Sequence, residues 1–112
     1  MSNTLADLLL EPEDTYVYVL TGLTIPPDII VYIGITNDPK EKEKQHREGT
    51  GGTKKKLFNS LKVVEGPMCR STAELIESSK LIEHYDKYGN LPIENDNSQT
   101  RARLALALYG QH

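Results

Sequence analysis

The sequence predicts a small α+β domain, a short sheet with helices packed on it. Three observations predict this. Two runs rich in β-branched and aromatic residues, Tyr16 to Leu20 and Ile29 to Thr36, stand one short loop apart. A third such run, Lys62 to Met68, follows after two segments that read as helices. Two more helical segments close the chain. The order strand, strand, helix, helix, strand, helix, helix fits layers of one sheet and its covering helices. At 112 residues the chain is one domain, long enough to bury a core of its own.

The elements follow in order. Residues 1–14 read as a loosely ordered arm, with one helical turn around Leu5, Leu8 and Leu9 before Pro12; the domain proper is 15–112. In the first strand Tyr16, Tyr18 and Leu20 point one way, and Val17 and Val19 the other. Gly22 and the Pro26-Pro27 pair fix a loop over 21–28. Ile29 to Thr36 is apolar nearly throughout, which predicts a central strand buried on both faces. Its closeness to the first strand predicts an antiparallel hairpin.

Asn37 or Asp38 caps a helix over 40–47, with Pro39 at its first position and Gly49 near its end. This helix has no apolar stripe, so the cap, i,i+4 pairs and lysine stems must support it. Residues 49–53 are a glycine-rich connection without the order of a P-loop. Lys54 to Leu61 reads as a short helix with Leu57, Phe58 and Leu61 on one side. Ser71-Thr72-Ala73-Glu74 reads as a capping box for a helix that Gly89 ends after Tyr88. Ser98 caps a last helix to Tyr109, with Leu104 and Leu108 on one face.

Composition is that of a soluble globular protein, 38% hydrophobic and 26% charged, and no apolar run approaches a bilayer span. The first residues lack a signal peptide's positive region. Cys69 is the single cysteine, which excludes a disulfide framework and suits a cytoplasmic setting. Net charge is −3, but it is unevenly spread. From Lys40 to Lys62 there are eight basic and three acidic residues, a net +5; the remainder carries −8. Such a basic segment is either a phosphate footprint or a solvated helix face.

The side chains able to do chemistry are few. Tyr18 and Tyr32 can project from neighbouring strands onto one side. Glu77 lies one turn after Ala73 and one turn before Leu81, so it shares an apolar helix face. A carboxylate there is paired, protonated or bound to a metal, unless it reaches solvent from an edge. One carboxylate with waters and a substrate phosphate is a familiar way to hold Mg²⁺. Each has a plainer reading: buried tyrosines are commonly core residues with one hydrogen bond, and His46 on a polar helix is commonly a surface histidine. Together they make a phosphodiesterase site, with metal, base and cation around a phosphate.

Tyr16-Val17-Tyr18, then Val31-Tyr32-Ile33-Gly34-Ile35-Thr36-Asn37-Asp38, then His46 resembles the GIY-YIG nuclease superfamily, closest to its small single-domain type. The resemblance covers Tyr16 to Asn95; in the second half it lies in layout and in the run from Glu77 to Ile82. It implies a three-stranded antiparallel sheet flanked by helices. It implies that Tyr18 and Tyr32 orient or deprotonate the attacking water, that His46 assists, that Glu77 holds Mg²⁺ or Mn²⁺, and that Asn95 or Asn90 fills a late asparagine position. Three positions depart from the family pattern. Tyr16 stands where glycine is common, Glu43 where a leucine is usually buried, and Lys42 where the family has arginine. Lysine keeps the charge but loses the planar fork that grips phosphate.

The expected function is therefore a metal-dependent endonuclease acting on DNA, with RNA as an alternative substrate. Lys42 would stabilise the phosphate, and Lys40, Lys44, Arg47, Lys54, Lys55 and Lys56 would contact the nucleic-acid backbone. A freestanding domain of this size suits a phage or mobile-element protein working in a host cytoplasm. Two alternatives stand beside it. One is a weak or inactive module of the same fold that binds nucleic acid or inhibits a partner protein. The other is an unrelated α+β interaction protein.

Overall fold

β1 (Thr15–Thr21) is the middle strand of a three-stranded antiparallel sheet, flanked by β2 (Ile30–Thr36) on one side and β3 (Ser60–Met68) on the other. The computed structural model describes residues 11–23, 29–50 and 58–109. Among the described residues there are three helices: α1 (Pro39–Glu48), α2 (Arg70–Tyr88) and α3 (Ser98–Tyr109). The α+β class and the antiparallel β1–β2 pairing follow the sequence expectation. At the base of the loop between these strands, the Gly22 N–H donates to the Ile29 carbonyl at 2.8 Å.

The expectation that the second strand is central is corrected: β2 is an edge strand. Its apolar run has another cause. Helix α2 packs on one face and the tyrosine cluster covers the other. The segment after α2 then covers its free edge. The Glu94 N–H donates to the Val31 carbonyl at 2.9 Å. The Asn95 side chain accepts from the Ile33 N–H at 2.8 Å and donates to the Ile33 carbonyl at 3.0 Å. A buried edge thus keeps its backbone groups paired.

Strand alternation sorts the core into two layers. Val17, Val19 and Ile33 meet Ala73 and Leu81 of α2, Leu91 of the segment after it, and Leu104 of α3. Burying each large aliphatic side chain here stabilises the fold by about 1.5–3 kcal/mol. On the opposite face Tyr18 and Leu20 meet Phe58, with Tyr32 and Leu61 packed alongside.

α1 forms as expected. The Asp38 carboxylate accepts from the Glu41 N–H at 3.1 Å, Pro39 is at the first position, and Gly49 ends the helix at φ +80°. Without an apolar stripe, α1 is fastened by one buried residue, His46, and by an arginine. Arg47 lies 4.3 Å over the Phe58 ring, pairs with Glu43 at 3.3 Å, and donates to the Asn59 carbonyl at 3.2 Å. Glu43 also accepts from the Leu61 N–H at 3.4 Å.

Four local expectations are corrected. The short helix over 54–61 is not formed at its described end: Ser60 and Leu61 already belong to β3, because they pair with Thr21 and Leu20. The capping box is not formed, since α2 starts earlier, with Cys69 at its N-cap and Ser71 inside the first turn. The Ser71 N–H and hydroxyl instead donate to the Glu11 carboxylate at 3.2 and 3.1 Å. Asn97, not Ser98, caps α3, accepting from the Thr100 N–H at 2.9 Å. Leu108 does not share the buried face of Leu104 but is 46% exposed. The helical turn at Leu5–Leu9, Pro26-Pro27 and the glycines at 51 and 52 lie outside the described residues.

Candidate active site

The β1–β2 register sets Tyr18 opposite Gly34 and Leu20 opposite Tyr32. Tyr18 and Tyr32 are therefore diagonal neighbours on one face, with ring centroids 6.1 Å apart. Gly34 makes this possible. A Cβ at Gly34 would stand 2.6 Å from the Tyr18 hydroxyl oxygen and 2.8 Å from Cε2 of Tyr32. The two rings close over the backbone where a side chain would be. His46 comes to the same place from α1, fully buried, its ring 5.2 Å from that of Tyr32. Its Nε2 lies 2.7 Å from the Tyr18 hydroxyl. The histidine is a core member of the cluster rather than a surface residue.

Burial governs the protonation of this cluster. It pushes the Tyr18 phenol well above the ordinary tyrosine range, with the charges of Tyr32 and Glu77 adding to the effect. Tyr32 is also raised, first by burial and then by Glu77, while the charge of Arg103 pulls it back. His46 is pushed down to about 4, by burial first and by the Lys42 ammonium second. At neutral pH it is an uncharged imidazole. The Tyr18 and Tyr32 hydroxyls also act on each other, raising Tyr18 and lowering Tyr32.

Glu77 faces the sheet from α2 between Ala73 and Leu81, as the helical spacing predicts. Its side chain is 12% exposed and pairs with the Arg103 guanidinium of α3 at 3.4 Å. Burial raises its carboxyl, and Arg103 opposes that rise. Because Glu77 perturbs both phenols and Arg103 perturbs Tyr32, the five side chains of Tyr18, Tyr32, His46, Glu77 and Arg103 share one electrostatic neighbourhood.

The remaining expected site residues divide. Lys42 is half-buried on α1, one turn before His46, and acts on its charge. Lys40 and Lys44 are exposed on α1. Arg47 is committed to Glu43, Asn59 and Phe58. Asn95 is buried, and both ends of its amide are spent on the Ile33 backbone, so it holds β2 beside Tyr32. Asn90, the alternative, presents its carbonyl to His84 Nδ1 at 2.7 Å and borders a groove of about 930 Å³ between the start of β2 and the end of α2. Lys54, Lys55 and Lys56 lie outside the described residues.

No family model, curated protein or solved structure matches this chain.

Among the described residues no three His, Cys, Asp or Glu side chains form a cage for a metal. A single carboxylate such as Glu77 suits only a hard cation that keeps most of its waters. Mg²⁺ and Mn²⁺ bound through one carboxylate and a substrate phosphate meet that condition.

Arg103 and Gly34 are the site residues that the motif spacing does not nominate. Gly34 carried a signal, since a glycine inside a strand marks a close approach. Arg103 carried none, because nothing local ties one exposed helical arginine to a carboxylate on another helix.

Proposed function

We propose that this chain is a metal-dependent endonuclease of GIY-YIG type that hydrolyses phosphodiester bonds of DNA. One observation carries the proposal: Tyr18 and His46 are hydrogen-bonded, the Tyr32 ring packs against both, and the buried carboxylate of Glu77 acts electrostatically on both phenols. Such convergence of perturbed groups from three or more elements marks functional sites more than cores.

Each residue has a part. Tyr32 Oη would be the general base toward the attacking water in its phenolate form, which burial disfavours and a divalent cation held by Glu77 would favour. Tyr18 orients Tyr32, and neutral His46 fixes Tyr18 through the 2.7 Å contact. Glu77 would hold Mg²⁺ or Mn²⁺, which when bound neutralises charge on the phosphate. Lys42 supplies a cation from α1, and Lys40 and Lys44 grip the backbone beside it. Asn95 keeps β2 in place and acts through the strand, not on substrate.

The test is cleavage of plasmid, single-stranded DNA and RNA with Mg²⁺ or Mn²⁺. Cutting of DNA that disappears in Tyr32→Phe and in Glu77→Ala is the expected result. A second reading has its own support in Lys42 and in the Glu77–Arg103 ion pair, which already neutralises the candidate ligand. It is a binding module of the same fold. Salt-sensitive retardation of nucleic acid without any cutting would establish it instead.

A further inference from the structure

The nuclease reading leaves a chemical gap: lysine stands where a forked, phosphate-gripping guanidinium is expected. Four arginines lie among the described residues. Arg47 is held by Glu43, Asn59 and Phe58. Arg101 is held by Asp96 at 2.6 Å. Arg70 acts on Glu77 only as the weakest of its perturbing charges. Arg103 is different, because it pairs with the carboxylate of the site itself, at 3.4 Å. Its side chain is 51% exposed whereas that of Glu77 is 12% exposed. The guanidinium can therefore swing away at little cost, while the carboxylate must stay and needs a cation wherever Arg103 goes.

Resting on the nuclease reading, we propose that Arg103 is an exchangeable cation of the active site. It neutralises Glu77 until a divalent ion takes that carboxylate, and then binds a phosphate of the nucleic acid. Three considerations support the exchange. A guanidinium and a divalent ion at one buried carboxylate repel each other at contact distance, so the ion weakens the Arg103 contact. Arg103 sits on Glu77 at 3.4 Å, and its charge lowers Tyr32, so a released fork starts from the site's own carboxylate. And arginine binds phosphate through two parallel hydrogen bonds, which Lys42 cannot make.

The experiment uses the full chain as wild type, Arg103→Ala, Arg103→Lys and Arg70→Ala. Mn²⁺ binding is measured without nucleic acid by electron paramagnetic resonance. Affinity for a phosphorothioate DNA duplex is measured with Mn²⁺ present, as a function of salt. Arg103→Ala is expected to bind Mn²⁺ about tenfold more tightly, because a competing cation is gone. It is expected to bind the duplex about tenfold more weakly, with a salt slope smaller by about one. Arg103→Lys restores the slope but not the affinity, and Arg70→Ala resembles wild type. Unchanged Mn²⁺ affinity in Arg103→Ala, unchanged duplex affinity, or failure of every variant to bind Mn²⁺ overturns the proposal. If wild type cuts DNA and Arg103→Ala shows neither shift, the exchange is wrong and the nuclease stands. If both shifts occur in a protein that cuts nothing, the nuclease is wrong and the exchange stands.

Discussion

Gly34 decides whether the two tyrosines can share a site. Its backbone angles are open to any residue, so the constraint is steric and lies in the rings that close over it. Gly34→Ala places a methyl 2.6 to 2.8 Å from Tyr18 and Tyr32, and neither ring is a flexible end that can yield cheaply. The expected cost is about 1–3 kcal/mol of stability, read as a lowered Tm, with both rings pushed out of register. A variant as stable as wild type would show that the rings have room to move. At this scale much was legible in advance. Period-two alternation put Tyr18 and Tyr32 on one face, and helical spacing put Glu77 on the buried side of α2. His46 was named from its motif position but its burial was not foreseeable, because α1 carries no apolar stripe to announce an inward face.

Asn95 joins two elements that the sequence separates widely. Its amide completes the outer edge of β2 and so holds the strand bearing Tyr32. Asn95→Ala leaves the Ile33 N–H and carbonyl buried without that partner, at about 1–3 kcal/mol for each group left unsatisfied. Hydrogen exchange at the Ile33 amide should speed up far more than at Val19, on the middle strand. Equal protection in both proteins would mean the loop is not what closes the edge. The β1–β2 hairpin, α1 and the end of α2 were readable because their signals are local: alternation, an Asp cap, a glycine stop. Strand order was not readable. The apolar run of β2 recorded cover on its faces and edge, and that pattern is shared with a central strand. The start of β3 and the first turn of α2 were misplaced for a related reason, since Leu20, Thr21 and Glu11 supply partners from far away in the chain.

At the scale of the whole molecule, the buried histidine ties stability to pH. His46 titrates near 4 when folded, below the ordinary value near 6.5 that it regains on unfolding. Between these values the unfolded chain binds the extra proton, so stability falls as pH drops from 6.5 toward 4. The neighbours that set this are Lys42 on its own helix, Tyr18 and Tyr32 on the sheet, and Phe58 beside them. His46→Gln should flatten that part of the stability–pH curve, measured by urea unfolding across the window; an unaltered slope would assign the acid sensitivity to other groups. The same architecture brings His46 of the basic α1 against one tyrosine pair on which the charge of Glu77 also acts, which is the arrangement the nuclease account depends on. Its most direct test is nicking of supercoiled plasmid by the full chain across a Mg²⁺ titration, wild type against Glu77→Gln. The account predicts Mg²⁺-dependent nicking by wild type that is lost in a Glu77→Gln protein of unchanged fold. Nicking that survives Glu77→Gln, or a folded wild type that never nicks, would contradict it.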